Sequence, residues 1–145
     1  MLWFCCSLIR GLVMSEVAKD CAPVVIVDQH GKYMLQFRDD TPGINHPLMW
    51  GFFGGQCEDG ETPGQCASRE LHEELVVEFM AFDFEELASL PKDNGSMRHV
   101  VRLCFPIVWG EFALCEGAGV GYFTKDEALK LNLVPGARVI FEEVL

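Results

Sequence analysis

The sequence predicts one domain of the α/β (or α+β) class, a mixed sheet sandwiched by helices. Three observations predict it. β-branched and alternating apolar runs recur along the chain, one segment carries a complete set of helix-start signals, and the 14 glycines and 7 prolines are scattered rather than clustered. No internal repeat or low-complexity stretch interrupts the pattern. A chain of 145 residues, 50% of them hydrophobic, fits one compact domain with its own core.

The elements follow in order. Residues 1–14 (MLWFCCSLIRGLVM) are apolar, but Arg10 interrupts them, no basic segment precedes them, and they are too short to span a bilayer. Met14-Ser15-Glu16 is a more natural start, so residues 1–13 are expected to be a start-site artefact or a loose extension. The division expected is an N-terminal extension over 1–20 and a folded domain over 21–145. Residues 22–28 (APVVIVD) and 32–38 (KYMLQFR) have strand character, with a hairpin turn at His30-Gly31. Residues 39–49 hold turn formers throughout and form a loop, and 50–55 (WGFFGG) a short strand running into a tight turn.

Thr62, Pro63 and Gln65 then make a capping box with proline at the first helical position, which predicts a helix from Pro63 to about Leu75. Its apolar stripe is Ala67, Leu71 and Leu75. Residues 78–85 alternate like a strand. Residues 97–109 are apolar enough for a central strand, with Pro106 at a bulge or near the end. Short strands are expected at 111–115 and 120–123, a helix capped by Thr124 over 125–131, and a last helix from about Gly136.

Charge and cysteine usage narrow the function. A net charge of −11 argues against a protein that grips a nucleic-acid backbone, since that needs Lys and Arg to replace counterions. It suits either a soluble acidic surface or carboxylates gathered at a divalent cation. The 7 cysteines include no C-x-x-C pair, and the 4 histidines stand at no zinc-ligand spacing from them. Reduced thiols and a cytoplasmic location are therefore expected.

The chemistry concentrates in one helix. Glu70, Glu73 and Glu74 lie at i, i+3 and i+4, within an arc of about 100°, so the three carboxylates share a face. Such a face is either plain solvated surface or a site for a hard cation, which takes oxygen ligands and bridges to phosphates. Arg69 can offset part of the mutual repulsion through Glu73, four residues on.

The surrounding residues favour the cation site. Gly55, Glu61, Arg69-Glu70-Leu71, Glu73-Glu74 and Val77 match the spacing G-x5-E-x7-R-E-U-x-E-E-x-G-U, where U is aliphatic. A chance match to its fixed charged and glycine positions is on the order of one in a hundred thousand. In this the chain resembles the Nudix hydrolases. Val76 stands where the motif has its second glycine. A β-branched residue resists the left-handed conformation that such a glycine supplies, so a reshaped helix exit is expected.

The resemblance implies a Nudix-type α/β/α sandwich with a loop–helix–loop catalytic motif. It implies hydrolysis of a diphosphate linkage in a nucleoside diphosphate bonded to a further group, a pyrophosphatase reaction on a nucleoside triphosphate, nucleotide sugar, dinucleotide or ADP-ribose. By the same resemblance Glu70, Glu73 and Glu74 would bind Mg²⁺ (Mn²⁺ as a substitute), with a carbonyl of Gly54 or Gly55 as a further ligand. Arg69 would orient the carboxylates, and Glu61 would support the loop near the metal. The general base would be Glu70 or Glu73, or a later loop acid, for which Glu111 and Glu116 are candidates and Glu116 the better; its alternative is an exposed acid without a role.

Weaker candidates are Arg38 for phosphate, and Trp50 and Phe53 for stacking on a base, with core packing the stronger reading for the aromatic residues. The partner expected is a small nucleotide-like molecule, with neither nucleic acid nor membrane, and a homodimer is compatible. The rival functions are a non-catalytic nucleotide-binding module and an RNA 5′-end pyrophosphohydrolase.

Overall fold

The computed structural model describes residues 17–145; the expectations for residues 1–16 lie outside the described residues. Seven strands and three helices form two sheets between helical layers. Strands β1 (Cys21–Val25), β4 (Phe53–Gln56), β5 (Phe84–Pro91) and β6 (Met97–Leu103) make a mixed sheet in the order β4-β1-β6-β5. Only its β1–β6 pair is parallel. Strands β2 (Tyr33–Phe37), β3 (Trp50–Gly51) and β7 (Gly119–Phe123) make an antiparallel sheet in the order β3-β2-β7. The single mixed sheet expected from sequence is thus two sheets.

The predicted hairpin is present and is where the sheets part. Asp28 Oδ1 accepts the backbone N–H groups of His30 and Lys32, both at 2.8 Å. The Met34 N–H donates to the Ile26 carbonyl at 2.9 Å. Beyond that, β1 and β2 diverge, one into each sheet.

Alternation along the strands explains the layers. Val24, Met34 and Val101 pack with Ala67, Leu71 and Leu75 of helix α1 (Pro63–Leu75). Their neighbours Val25 and Val100 pack with Ile140, and Leu35 with Ala137 and Phe141, of helix α3 (Pro135–Glu143). Strands buried on both faces need continuous apolar runs, and the sequence supplies them. Helix α2 (Lys125–Ala128) is shorter than expected and lies on the α3 side, where Ala128 is buried. Among the described residues no helix is long and apolar enough to cross a membrane.

Four predicted strands are corrected. The single strand expected over 50–55 is two, β3 in one sheet and β4 in the other. In 78–85, Asp83 accepts the Met80 N–H at 2.7 Å and starts a 3₁₀ turn over Ala81–Asp83, leaving β5 to begin at Phe84. Alternation misleads there because a local carboxylate cap competes for the backbone. The run at 97–109 stops at Leu103, ahead of Pro106, which has no N–H to give a ladder. Residues 111–115 form no strand, because the Ala113 and Cys115 N–H groups donate to the last carbonyls of α1, Leu75 at 3.0 Å and Glu74 at 2.8 Å.

Candidate active site

Helix α1 begins where the capping box places it. The Thr62 hydroxyl accepts the Gln65 N–H at 3.2 Å, and the Gln65 side chain accepts the Thr62 N–H at 2.9 Å. Its apolar stripe is buried, which sets the rotation of the carboxylate face.

Arg69 organises that face. Its Nε and Nη2 donate to the two carboxylate oxygens of Glu61 at 2.7 and 3.0 Å, Nη2 also to the Gln56 carbonyl at 2.9 Å. Its Nη1 reaches Glu70 at 2.9 Å and Glu73 at 3.4 Å. The pair expected with Glu73 is therefore the longest of its carboxylate contacts with the motif. Glu61 is a clamp on the guanidinium, and Arg69 holds the Glu61 carboxyl below its ordinary range. Its second oxygen also accepts the Glu58 N–H at 2.8 Å. Gly55 has a packing reason: a Cβ there would stand 2.5 Å from the Glu70 carboxyl.

The three glutamates of α1 differ sharply. The Glu73 side chain is 50% exposed, whereas Glu74 as a residue is only 3% exposed. A shared helix face did not reveal this difference. Glu74 turns inward, where Oε1 accepts the Gly54 N–H at 3.2 Å and Oε2 has no hydrogen-bond partner. Burial, then the charges of Glu70 and Glu116, push the Glu74 carboxyl up to about 9. Glu70 is raised too, first by burial and against the pull of Arg69.

Helix α1 ends on Val76 in the left-handed conformation (φ 54°, ψ 38°), its N–H donating to the His72 carbonyl at 3.0 Å. The exit is not reshaped: the glycine's geometry is kept, and a half-exposed valine bears it. His72 is exposed on the helix, as its angle predicts.

The loop from Cys104 to Ala118 returns to this site. The Cys115 N–H, one residue before Glu116, donates to the Glu74 carbonyl at 2.8 Å, and the Glu116 charge is among the causes that raise the Glu74 carboxyl. Glu111 sits on a separate turn closed by its own N–H onto Val108. Of the weaker candidates, Arg38 closes its own loop, Nε donating to the Asn45 carbonyl at 3.0 Å. Phe53 is wholly buried in the core and presents no ring face to a ligand. Trp50 packs between Phe37 and Phe123, both at 5.0 Å between ring centres. Both aromatic residues thus pack, which is the stronger of the two readings of them, and the stacking role is not supported. Sequence reasoning missed Gln36 and Asp39, whose side chains hold the backbone of Glu116 and Gly117.

Among the described residues, no group of three or more His, Cys, Asp or Glu side chains is already arranged to hold an ion. Arg69 draws Glu70 and Glu73, while Glu74 faces Gly54. Even so, the donor set fits a hard cation. A buried carboxylate oxygen with no donor, beside two further acids, is the arrangement that a cation would relieve. The Gly55 carbonyl faces the Cys66 thiol at 3.6 Å.

An α/β/α sandwich carrying a glycine loop and a carboxylate helix clamped by one arginine defines a class of hydrolases. The NUDIX domain model matches residues 18–144, and the chain belongs to the Nudix family as a Nudix hydrolase. Relatives in this family generally use divalent metals such as Mg²⁺.

The chain is 29% identical over 114 residues to the CTP pyrophosphohydrolase of Escherichia coli (strain K12), a match covering 76% of this chain and 79% of that protein. It resembles the solution structure of the E. coli ORF135 protein with a TM-score of 0.63 at 28% identity, covering 86% of this chain and 87% of that one. The MutT protein of Methanosarcina mazei Go1 shares the fold, with a TM-score of 0.69 at 18% identity over 86% of this chain and 90% of that one.

Proposed function

We propose that this hydrolase cleaves the diphosphate linkage of a nucleoside diphosphate bonded to a further group, with Mg²⁺ as cofactor and nucleoside triphosphates as the first substrate class to test. The observation that carries the reading is the buried Glu74 carboxylate, whose Oε2 has no partner within a cluster of acids. The resemblance to a CTP pyrophosphohydrolase supports the triphosphate class.

In this mechanism Glu70, Glu73 and Glu74 would hold the metal, with a carbonyl of the Gly54-Gly55 loop as a further donor. When bound, the metal neutralises diphosphate charge and lowers the pKa of the attacking water. Arg69 fixes the directions of Glu70 and Glu73, and Glu61 fixes Arg69. Glu116 is exposed and follows Cys115, which is tied to the end of α1. It takes the proton from the water as that water attacks one phosphorus and the bridging P–O bond breaks, releasing the other phosphate.

The test is product release with Mg²⁺ across CTP and other nucleoside triphosphates, nucleotide sugars, dinucleotides and ADP-ribose, with Glu73→Gln as the blank. Turnover of triphosphates by wild type alone supports the reading. Turnover confined to another class replaces the substrate and keeps the chemistry. Silence across the panel with intact Mg²⁺ binding would remove the proposed substrates.

A further inference from the structure

Four consecutive residues around Glu116 are each tied down. The Cys115 N–H donates to the Glu74 carbonyl at 2.8 Å, and the Glu116 carbonyl accepts from Gln36 Nε2 at 2.8 Å. The Gly117 N–H donates to Asp39 Oδ2 at 3.1 Å, and the Ala118 N–H to the Phe37 carbonyl at 2.8 Å. Two of the four ties come from side chains about eighty residues away in sequence.

Gln36 is the unexpected member. It is 7% exposed, in a strand whose neighbours Met34 and Leu35 are wholly buried core residues. An amide there loses its hydration on folding and must be satisfied from within. An aliphatic side chain would fill the same position without that cost, so packing alone does not explain a glutamine. Its partner is the backbone of Glu116, next to Cys115, whose own N–H is tied to the Glu74 carbonyl.

Gly117 completes the fit. Its φ of +92° is left-handed, and a Cβ there would stand 2.8 Å from Gln36 Cγ and 2.9 Å from the Phe37 carbonyl oxygen. Only glycine lets the chain turn directly over Gln36.

We propose that Gln36 and Asp39 are positioning residues that hold Glu116 against the glutamates of helix α1, with Gly117 as the pivot. The inference rests on the reading of Glu116 as general base. It adds the device by which a loop without secondary structure presents that acid reproducibly. A base displaced by an ångström loses much of its rate advantage, so the clamp acts on kcat.

The experiment compares wild type with Gln36→Met, Asp39→Ala, Asp39→Asn, Glu116→Gln and the double variant Gln36→Met/Glu116→Gln. Turnover is measured with Mg²⁺ on the panel substrate that wild type cleaves fastest. Amide hydrogen exchange over residues 112–119 is measured on the same proteins without metal. Gln36→Met and Asp39→Ala are expected to keep KM within about twofold and to lose kcat by about tenfold or more, the scale of misplacing a catalytic group. Their amides over 115–118 are expected to exchange faster. Asp39→Asn keeps an acceptor for the Gly117 N–H and is expected to restore most of the loss.

The double variant should be no slower than Glu116→Gln, because a displaced base that is already disabled costs nothing more. Normal kcat and exchange in Gln36→Met overturn the inference, and so does a loss that multiplies with that of Glu116→Gln. If Gln36→Met melts early, Asp39→Ala decides by the same criteria. A fully active Glu116→Gln sinks the assignment of the base, and the clamp's catalytic role with it. An impaired Glu116→Gln beside a normal Gln36→Met and Asp39→Ala leaves the base standing and removes only the clamp.

Discussion

The two segments that build the site are made by opposite means. From Gly54 to Val76 nearly every side-chain hydrogen bond stays within the segment: Thr62 with Gln65, Glu58 with Glu61, and Arg69 with Gln56, Glu61, Glu70 and Glu73. From Cys104 to Ala118 no regular element forms, and the chain is held by the end of α1, by Gln36 and Asp39, and by Tyr122. The first segment carries its geometry with it; the second borrows geometry from elements that fold elsewhere. On the proposed mechanism, function depends on local charge order in one segment and on tertiary anchoring in the other.

The largest effects are expected in the first segment. Glu73→Gln and Glu74→Gln should each lower kcat by at least about a hundredfold, as loss of a metal-binding or charge-handling group does. Their stabilities should separate them. Glu74 is buried and Glu73 is open. In metal-free protein its raised carboxyl destabilises the fold as pH climbs from the ordinary carboxylate value of 4.5 toward about 9, because the folded state must hold a proton that the unfolded state releases. Melting scans in a chelator should show that loss in wild type and a smaller loss in Glu74→Gln. Identical pH profiles for the two proteins would break this account of Glu74.

Next in size is Arg69→Lys. One ammonium cannot hold the fork to Glu61 while reaching Glu70, so a fall in kcat of roughly 10- to 100-fold is expected. Kinetics at saturating Mg²⁺ would measure it, and an unchanged rate would show that the clamp is dispensable.

Two small stability effects of opposite sign sharpen the local picture. Thr62→Ala removes the cap of α1 and should cost about 1 kcal/mol. Val76→Gly relieves a β-branched residue held left-handed and should stabilise by about 1 kcal/mol. Chemical denaturation of both variants checks the signs. The smallest effect expected is Tyr122→Phe, which loses the tie from its hydroxyl to the Ile107 carbonyl at 3.0 Å. It should cost about 1 kcal/mol or less, with faster exchange of amides over 104–118 as its distinguishing sign.

The sequence by itself determined what depends on near neighbours. The bounds of α1, its cap and the grouping of Glu70, Glu73 and Glu74 on it follow from residues within one or two turns of each other, where spacing dictates proximity. The hairpin at residues 28–32 and the buried strand runs are legible for the same reason. Alternation failed over 78–85 and 111–115 because hydrogen bonds from Asp83 and from the end of α1 decided those backbones.

Only the tertiary structure decided that Glu74 is buried while Glu73 is open, because a helix face has no inside until a sheet packs on it. It also tied the backbone of Glu116 and Gly117 to the side chains of Gln36 and Asp39. Contacts across about eighty residues leave no periodic trace in a single chain. They follow from which strands become neighbours, and that choice belongs to the whole core.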